Sequence, residues 1–238
     1  MRLDLYLTEK KIVETRTRAK NLIEMGNVTV NGNITKKPAA GVSDVDKIEI
    51  IDNYDASLAS LKLKKAFADF NVDAKNKTCL DLGAANGGFT DILLNNGAKK
   101  VYALDIGECA LPDRLKTDEK VVVVDRTNAR YIKKENFRDK IDFITGDLSF
   151  ISLKYVLQPA FDVLCDGGQA IFLIKPQFEL DKKQIPKSGI VRDEKIRNRV
   201  ISEISNFSEK IGYKVKSVTP APHPFTDKNQ EYLIYLTK

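Results

Sequence analysis

The chain has 238 residues, 42% of them hydrophobic and 30% charged, which is the balance of a folded protein and excludes wholesale disorder. A net charge of +6 is compatible with a polyanionic partner without requiring one. No apolar run approaches the roughly 20 residues needed to span a bilayer, Met1–Leu5 lacks a secretory core, and three scattered cysteines with a single histidine argue against a disulfide framework or a structural zinc. A reduced, cytoplasmic protein is expected.

The first fifty residues read as one small unit. A short helix is expected near Thr8, and a second from Thr15, as N-cap, to a stop at Gly26. Val28–Thr35 alternates apolar and polar residues around Asn31-Gly32, the pair that tolerates positive φ at both positions of a tight hairpin turn. Lys47–Ile51 reads as a further strand. Residues 1–37 carry eight Lys and Arg against four Asp and Glu. Arg16 and Lys20 share a helix face, with Arg18 round its side. Such a stripe suits phosphates, although charge alone equally fits a solvated face. Residues 51–60 are polar and weakly patterned, as a linker would be.

From residue 61 strands and helices alternate. Strands are expected at Thr78–Leu82, Lys100–Leu104, Val121–Val124, Ile141–Thr145 and Gln169–Ile174, with helices including Phe89–Asn95 and Leu153–Leu164. This α/β pattern predicts a mostly parallel sheet covered on both faces. The last two strands, Tyr213–Val218 and Tyr232–Leu236, have no helix between them and predict an antiparallel addition.

Ligands of such sheets lie beyond the strand C-termini. There the first strand runs into Asp81-Leu82-Gly83-Ala84-Ala85-Asn86-Gly87-Gly88-Phe89-Thr90, glycines that admit a close ligand followed by a helix N-terminus. The second strand ends in Asp105, suited to two ribose hydroxyls. The third ends in Asp125, followed by Asn128, suited to a base. The spacing G-x-x-x-G-G departs from the G-x-G-x-x-G of dinucleotide enzymes, which disfavours a nicotinamide oxidoreductase.

Arg2-Leu3-Asp4, Thr15–Ile23 and Gly26–Gly32 resemble the S-four-type RNA-binding domain, which implies RNA contacts from Arg2, Arg16, Arg18, Lys20 and Asn31. Residues Asp81–Thr90, Thr127–Arg130, Asp147-Leu148-Ser149-Phe150-Ile151-Ser152-Leu153, Leu173–Glu179, Gly189–Asp193 and Asn229–Leu233 resemble the TlyA family of FtsJ-like RNA ribose methyltransferases, often named haemolysins. The resemblance spans nearly the whole chain. It implies a Rossmann-like methyltransferase sheet behind a small α+β RNA-binding domain, divided as 1–50, linker 51–60 and 61–238. It also implies S-adenosylmethionine as cofactor and 2′-O-methylation of cytidine in ribosomal RNA. Ribosomal subunits are the expected partners, no membrane is required, and the chain is expected to be a monomer or weak dimer.

The resemblance places a catalytic tetrad at Lys62, Asp147, Lys175 and Glu231. In it Lys175 is the expected base, Asp147 and Glu231 orient the lysines, and Lys62 is a substrate-positioning or electrostatic group. Cofactor contacts are expected from Asp81, Gly83, Ala84, Gly87, Gly88, Phe89, Thr90, Asp105, Asp125, Asn128 and Asp147. A membrane-lytic protein would need an amphipathic or spanning segment that is not found. A catalytically silent ribosome-binding module would have no use for the tetrad.

Overall fold

The computed structural model describes residues 1–13, 15–50, 58–222 and 228–238, and divides into two compact units, Met1–Leu58 and Ala59–Lys238. The expected linker falls largely on residues 51–57, and His223 with most of the final loop on 223–227, so both lie outside the described residues.

In the first unit, α1 (Leu3–Glu9) and α2 (Arg16–Glu24) pack on a three-stranded antiparallel sheet of β1 (Val28–Val30), β2 (Asn33–Ile34) and β3 (Ile48–Ile50), ordered β2-β1-β3. Leu3, Leu7, Ala19, Ile23 and Val28 form its small core. The α2 boundaries follow their signals. The Thr15 side chain accepts the Arg18 N–H, and Gly26 sits at φ 79°. Asn31 and Gly32, at φ 53° and 79°, make the hairpin turn. The first helix corrects the expectation: it spans Leu3–Glu9 and ends where a helix was expected to begin. Thr8 is not a cap. Its hydroxyl donates back to the Asp4 and Leu5 carbonyls inside the helix, and Lys11 at φ 56° turns the chain away.

The second unit holds α3 (Leu58–Phe70), β4 (Thr78–Leu82), α4 (Gly88–Asn95), β5 (Lys100–Leu104), α5 (Asp113–Lys116), β6 (Val121–Val124), β7 (Ile141–Gly146), α6 (Leu157–Val163), β8 (Leu164–Ile174), α7 (Pro176–Glu179), α8 (Glu194–Ile211), β9 (Lys214–Pro220) and β10 (Tyr232–Thr237). Its seven-stranded sheet is ordered β6-β5-β4-β7-β8-β10-β9. The pairings from β6 to β8 are parallel, and β10 is antiparallel to both neighbours, so it alone is reversed.

Successive residues of a strand face opposite sides, and the core divides accordingly. Cys79, Phe143, Ile171 and Leu233 pack with Leu63 and Phe67 of α3 and with Ile92 and Leu93 of α4. Leu80, Leu82, Ile144 and Ile174 face the other way, toward Leu157 and Ala160 of α6 and Val200 and Ile204 of α8. Two expectations shift. The helix expected at Leu153–Leu164 is a 3-10 turn, Leu153–Tyr155, followed by α6. Strand β8 starts at Leu164 rather than Gln169, passing through Gly167 at φ 76°.

Candidate active site

Strands β4, β5, β6, β7 and β8 all end at one edge of the sheet, and reversed β10 begins there. Asp147 follows β7, Lys175 follows β8 and Glu231 precedes β10. Lys62 reaches the same place from α3. Its Nζ lies 2.7 Å from Glu231 Oε2 and 3.3 Å from Asp147 Oδ2. Lys175 Nζ lies 2.6 Å from Asp147 Oδ1 as an ion pair outside hydrogen-bond alignment, and donates instead to Ser149 Oγ at 2.9 Å. The four side chains are between 9% and 17% exposed. Two lysines and two carboxylates thus meet in a largely dry site, where each interaction matters more than it would in water.

The two lysines differ in their partners. Burial works against charge on Lys62, but the carboxylates of Asp147 and Glu231 outweigh it and hold its pKa above the ordinary lysine value. Burial would likewise raise Asp147, yet Lys62 and Lys175 hold it below the usual carboxylate range. Lys62 is therefore a fixed cation, whereas Lys175 directs its hydrogen bond to a neutral hydroxyl.

The glycine loop lies alongside. Gly83 has φ 82°, and a Cβ there would come within 2.8 Å of the Asp147 carbonyl oxygen, so only glycine lets the loop pass this close. Gly87, at φ 80°, precedes α4 and packs against Leu111 and Leu115. Asp105 accepts the Ala85 N–H (3.0 Å) on one oxygen and the Gly107 N–H (2.9 Å) on the other, leaving lone pairs for two hydroxyls. Asp125 accepts the Cys109 N–H at 2.6 Å, which lowers its pKa. Asn128 uses its carbonyl on the Arg130 N–H and keeps its amide donors. These residues line the strand ends beside the tetrad.

Three expected cofactor residues lie inside instead. Phe89 packs in the core, and fully buried Asp81 accepts hydroxyl donors from buried Thr90 (2.7 Å) and Thr145 (3.1 Å). Burial pushes the Asp81 carboxyl up to about 7, against the pull of both hydroxyls. An unfolded aspartate ionises near 3.9. Between about pH 4 and pH 7 the unfolded chain therefore releases a proton that the fold retains, and stability falls as pH rises. Asp81→Asn should remove that slope. By scanning calorimetry it should melt several degrees above the wild type at pH 7.5 and level with it at pH 4; a wild-type advantage at pH 7.5 would contradict this.

The expected RNA residues of the first unit are partly committed to nearby carboxylates. Arg2 and Arg16 both pair with buried Asp4, at 2.9 and 3.0 Å, and hold its pKa down to about 2. Lys20 lies 3.5 Å from Glu24 on the same helix. The Asn31 side chain bonds Asp46 and the Lys47 N–H, which makes it a turn residue.

Residues missed from sequence surround the tetrad. Ser149 holds Lys175. Phe150, at φ 63° and 89% exposed, stands over Phe178 at 5.0 Å. Glu179 accepts the Leu153 N–H (2.8 Å) and the Ser152 hydroxyl, tying α7 to the loop after β7. The motifs holding these residues are visible in the sequence, but their orientation is not.

Comparison with known proteins decides the family. The model of the FtsJ-like methyltransferases matches residues 56–238, and that of the S4 domain matches residues 1–48. The chain belongs to the FtsJ-like methyltransferases, in the TlyA family. Hemolysin A of Brachyspira hyodysenteriae is 40% identical over 99% of both chains. The 16S/23S rRNA (cytidine-2'-O)-methyltransferase TlyA of Mycobacterium tuberculosis is 34% identical over 99% of this chain and 89% of its own. Among solved structures, a putative hemolysin from Streptococcus thermophilus superposes with a TM-score of 0.79 at 35% identity, covering 100% of this chain and 88% of that one. Among the described residues no helix is long and apolar enough to cross a membrane, and no group of His, Cys, Asp or Glu is arranged to hold a metal.

Proposed function

We propose that this FtsJ-like protein is an S-adenosylmethionine-dependent methyltransferase of ribosomal RNA, acting in the cytoplasm on the 2′-hydroxyl of a cytidine ribose. The observation that carries the reading is the Lys62-Asp147-Lys175-Glu231 cluster at the strand ends, beside the glycine loop. S-adenosylmethionine, when bound, supplies a sulfonium methyl activated for transfer to oxygen. Asp105 would hold its ribose, Asp125 and Asn128 its base, and the loop from Gly83 its small polar chain.

The protein's part is positioning and proton transfer. A ribose hydroxyl is a poor nucleophile until it is aligned and relieved of its proton. In its unprotonated form the Lys175 amine takes that proton and becomes an ammonium paired with Asp147, with Ser149 and Asp147 fixing its direction. Lys62 remains charged and stabilises the oxygen as negative charge develops on it. Phe150, exposed and backed by Phe178, provides a flat apolar face for the target base once it leaves its stack.

The S4 domain supplies affinity through its basic helix α2, and a phosphate contact there carries no sequence information. Lys20→Ala should weaken RNA binding and lower the slope of log affinity against log salt by about one, measured by filter binding across salt concentrations. The reading as a whole is tested by incubating the protein with S-adenosylmethionine and unmodified ribosomal subunits, then mapping ribose methylation. Methyl transfer to a cytidine 2′-oxygen is expected; no ribose methylation on either subunit would overturn it.

A further inference from the structure

Among the described residues of the Ala59–Lys238 unit, the large hydrophobic side chains that stay exposed are Ile106, Tyr131, Phe150 and Tyr155. They are not scattered. Ile106 follows β5, Tyr131 follows β6, and Phe150 and Tyr155 follow β7, so all four leave the sheet at the edge that holds the tetrad. Single exposed apolar residues need no explanation, but a group confined to the working edge does.

One of these positions, Tyr155, is tied to a cation. The Arg130 guanidinium lies 4.4 Å from the centroid of the Tyr155 ring. Each partner sits on a capped single 3-10 turn. The Asn128 side chain accepts the Arg130 N–H, and the Ser152 hydroxyl accepts the Lys154 N–H. Glu179 braces the second turn from below through Leu153 and Ser152. Arg130 has no carboxylate within ion-pair distance among the described residues, and Tyr155 is 60% exposed. The contact is held on two capped turns, with Arg130 half-buried and Tyr155 exposed, and it carries a positive charge.

The ligand chemistry that suits a flat ring beside an uncompensated guanidinium is an unpaired nucleobase with its phosphate. We propose that Arg130 and Tyr155 form a stacking platform for a base neighbouring the methylated nucleotide, so that the RNA is recognised with at least two nucleotides unpaired. This rests on the reading of the protein as an RNA methyltransferase and adds to it a requirement for locally opened RNA.

The test uses the full chain, a fluorescent single-stranded oligoribonucleotide, and the same sequence annealed as a duplex. Fluorescence anisotropy should show the wild type favouring the single strand. Tyr155→Ala should weaken single-strand binding about tenfold while leaving duplex binding unchanged, and Tyr155→Phe should restore it. Arg130→Ala should weaken the single strand and reduce its salt dependence. Calorimetric affinity for S-adenosylmethionine reports on the fold. If Tyr155→Ala disturbs it, Tyr155→Leu keeps the bulk without the ring and should show the same loss. In methylation assays Tyr155→Ala should raise KM for RNA more than it lowers kcat.

Wild-type single-strand affinity and KM in both Tyr155→Ala and Tyr155→Leu would overturn the platform. So would a loss seen only with intact ribosomal subunits, which would assign the patch to a protein partner. Failure of the wider reading looks different, because the wild type itself would then methylate no RNA.

Discussion

Lys175→Ala should lower the rate of methyl transfer at least about a hundredfold, within the roughly 10²–10⁴-fold range of a positioned general base. The argument is one of elimination between two lysines. Lys62 lies between two carboxylates that hold it protonated, so it has no lone pair to offer. Lys175 shares only Asp147 and donates to the Ser149 hydroxyl. Lys175→Arg separates base from charge, since a guanidinium keeps the cation and cannot accept a proton. Both variants should bind S-adenosylmethionine with near wild-type affinity by calorimetry and fail in single-turnover transfer. Activity retained in the arginine variant would show that Lys175 acts through its charge.

Asp147→Asn is expected to cost both stability and activity. The carboxylate lies between Nζ of Lys62 and Nζ of Lys175, and removing one partner from a buried ion cluster leaves uncompensated charge costing about 3–5 kcal/mol. The lower end applies here, because Lys62 retains Glu231. For a unit of this size that is a fall in Tm of roughly 6–12 °C. The pH dependence follows from the depressed pKa. The contribution is fully present above the unfolded value near 3.9 and is lost as pH falls through the lower folded value. The gap between wild type and variant should hold from pH 8 to pH 5 and close in stronger acid. A gap that widened on acidification would contradict the assignment.

Much of this architecture is legible in the chain because it is written in local chemistry. Thr15 with Gly26 delimits α2, Asn31-Gly32 sets the hairpin, and an acid at each strand end marks β5 and β6. Where two local readings compete, the chain alone misleads. Thr8 has the composition of a cap but spends its hydroxyl inside α1. The long helix α8 is absent from the expected elements despite its Asp193 cap and Gly212 stop, because it lies between a loop and a strand with no ligand motif of its own. The tetrad comes from resemblance, since no spacing rule links Lys62 to Glu231. Burial of Asp81, Phe89 and Thr90 inside the expected cofactor loop depends on packing from β7 and α3. Phe150, Arg130 and Tyr155 matter through exposure and backbone angle, which no composition reports.

The reversal of β10 bears on how the enzyme comes into being. The residues expected to hold cofactor lie around β4, β5 and β6, near one another in sequence, whereas the tetrad is completed only when β10 inserts between β8 and β9 and carries Glu231 to the edge. Closures over such long stretches of chain come late in folding. A refolding population should therefore pass through a species that captures cofactor before it can transfer a methyl group, with recovered catalysis lagging behind recovered binding.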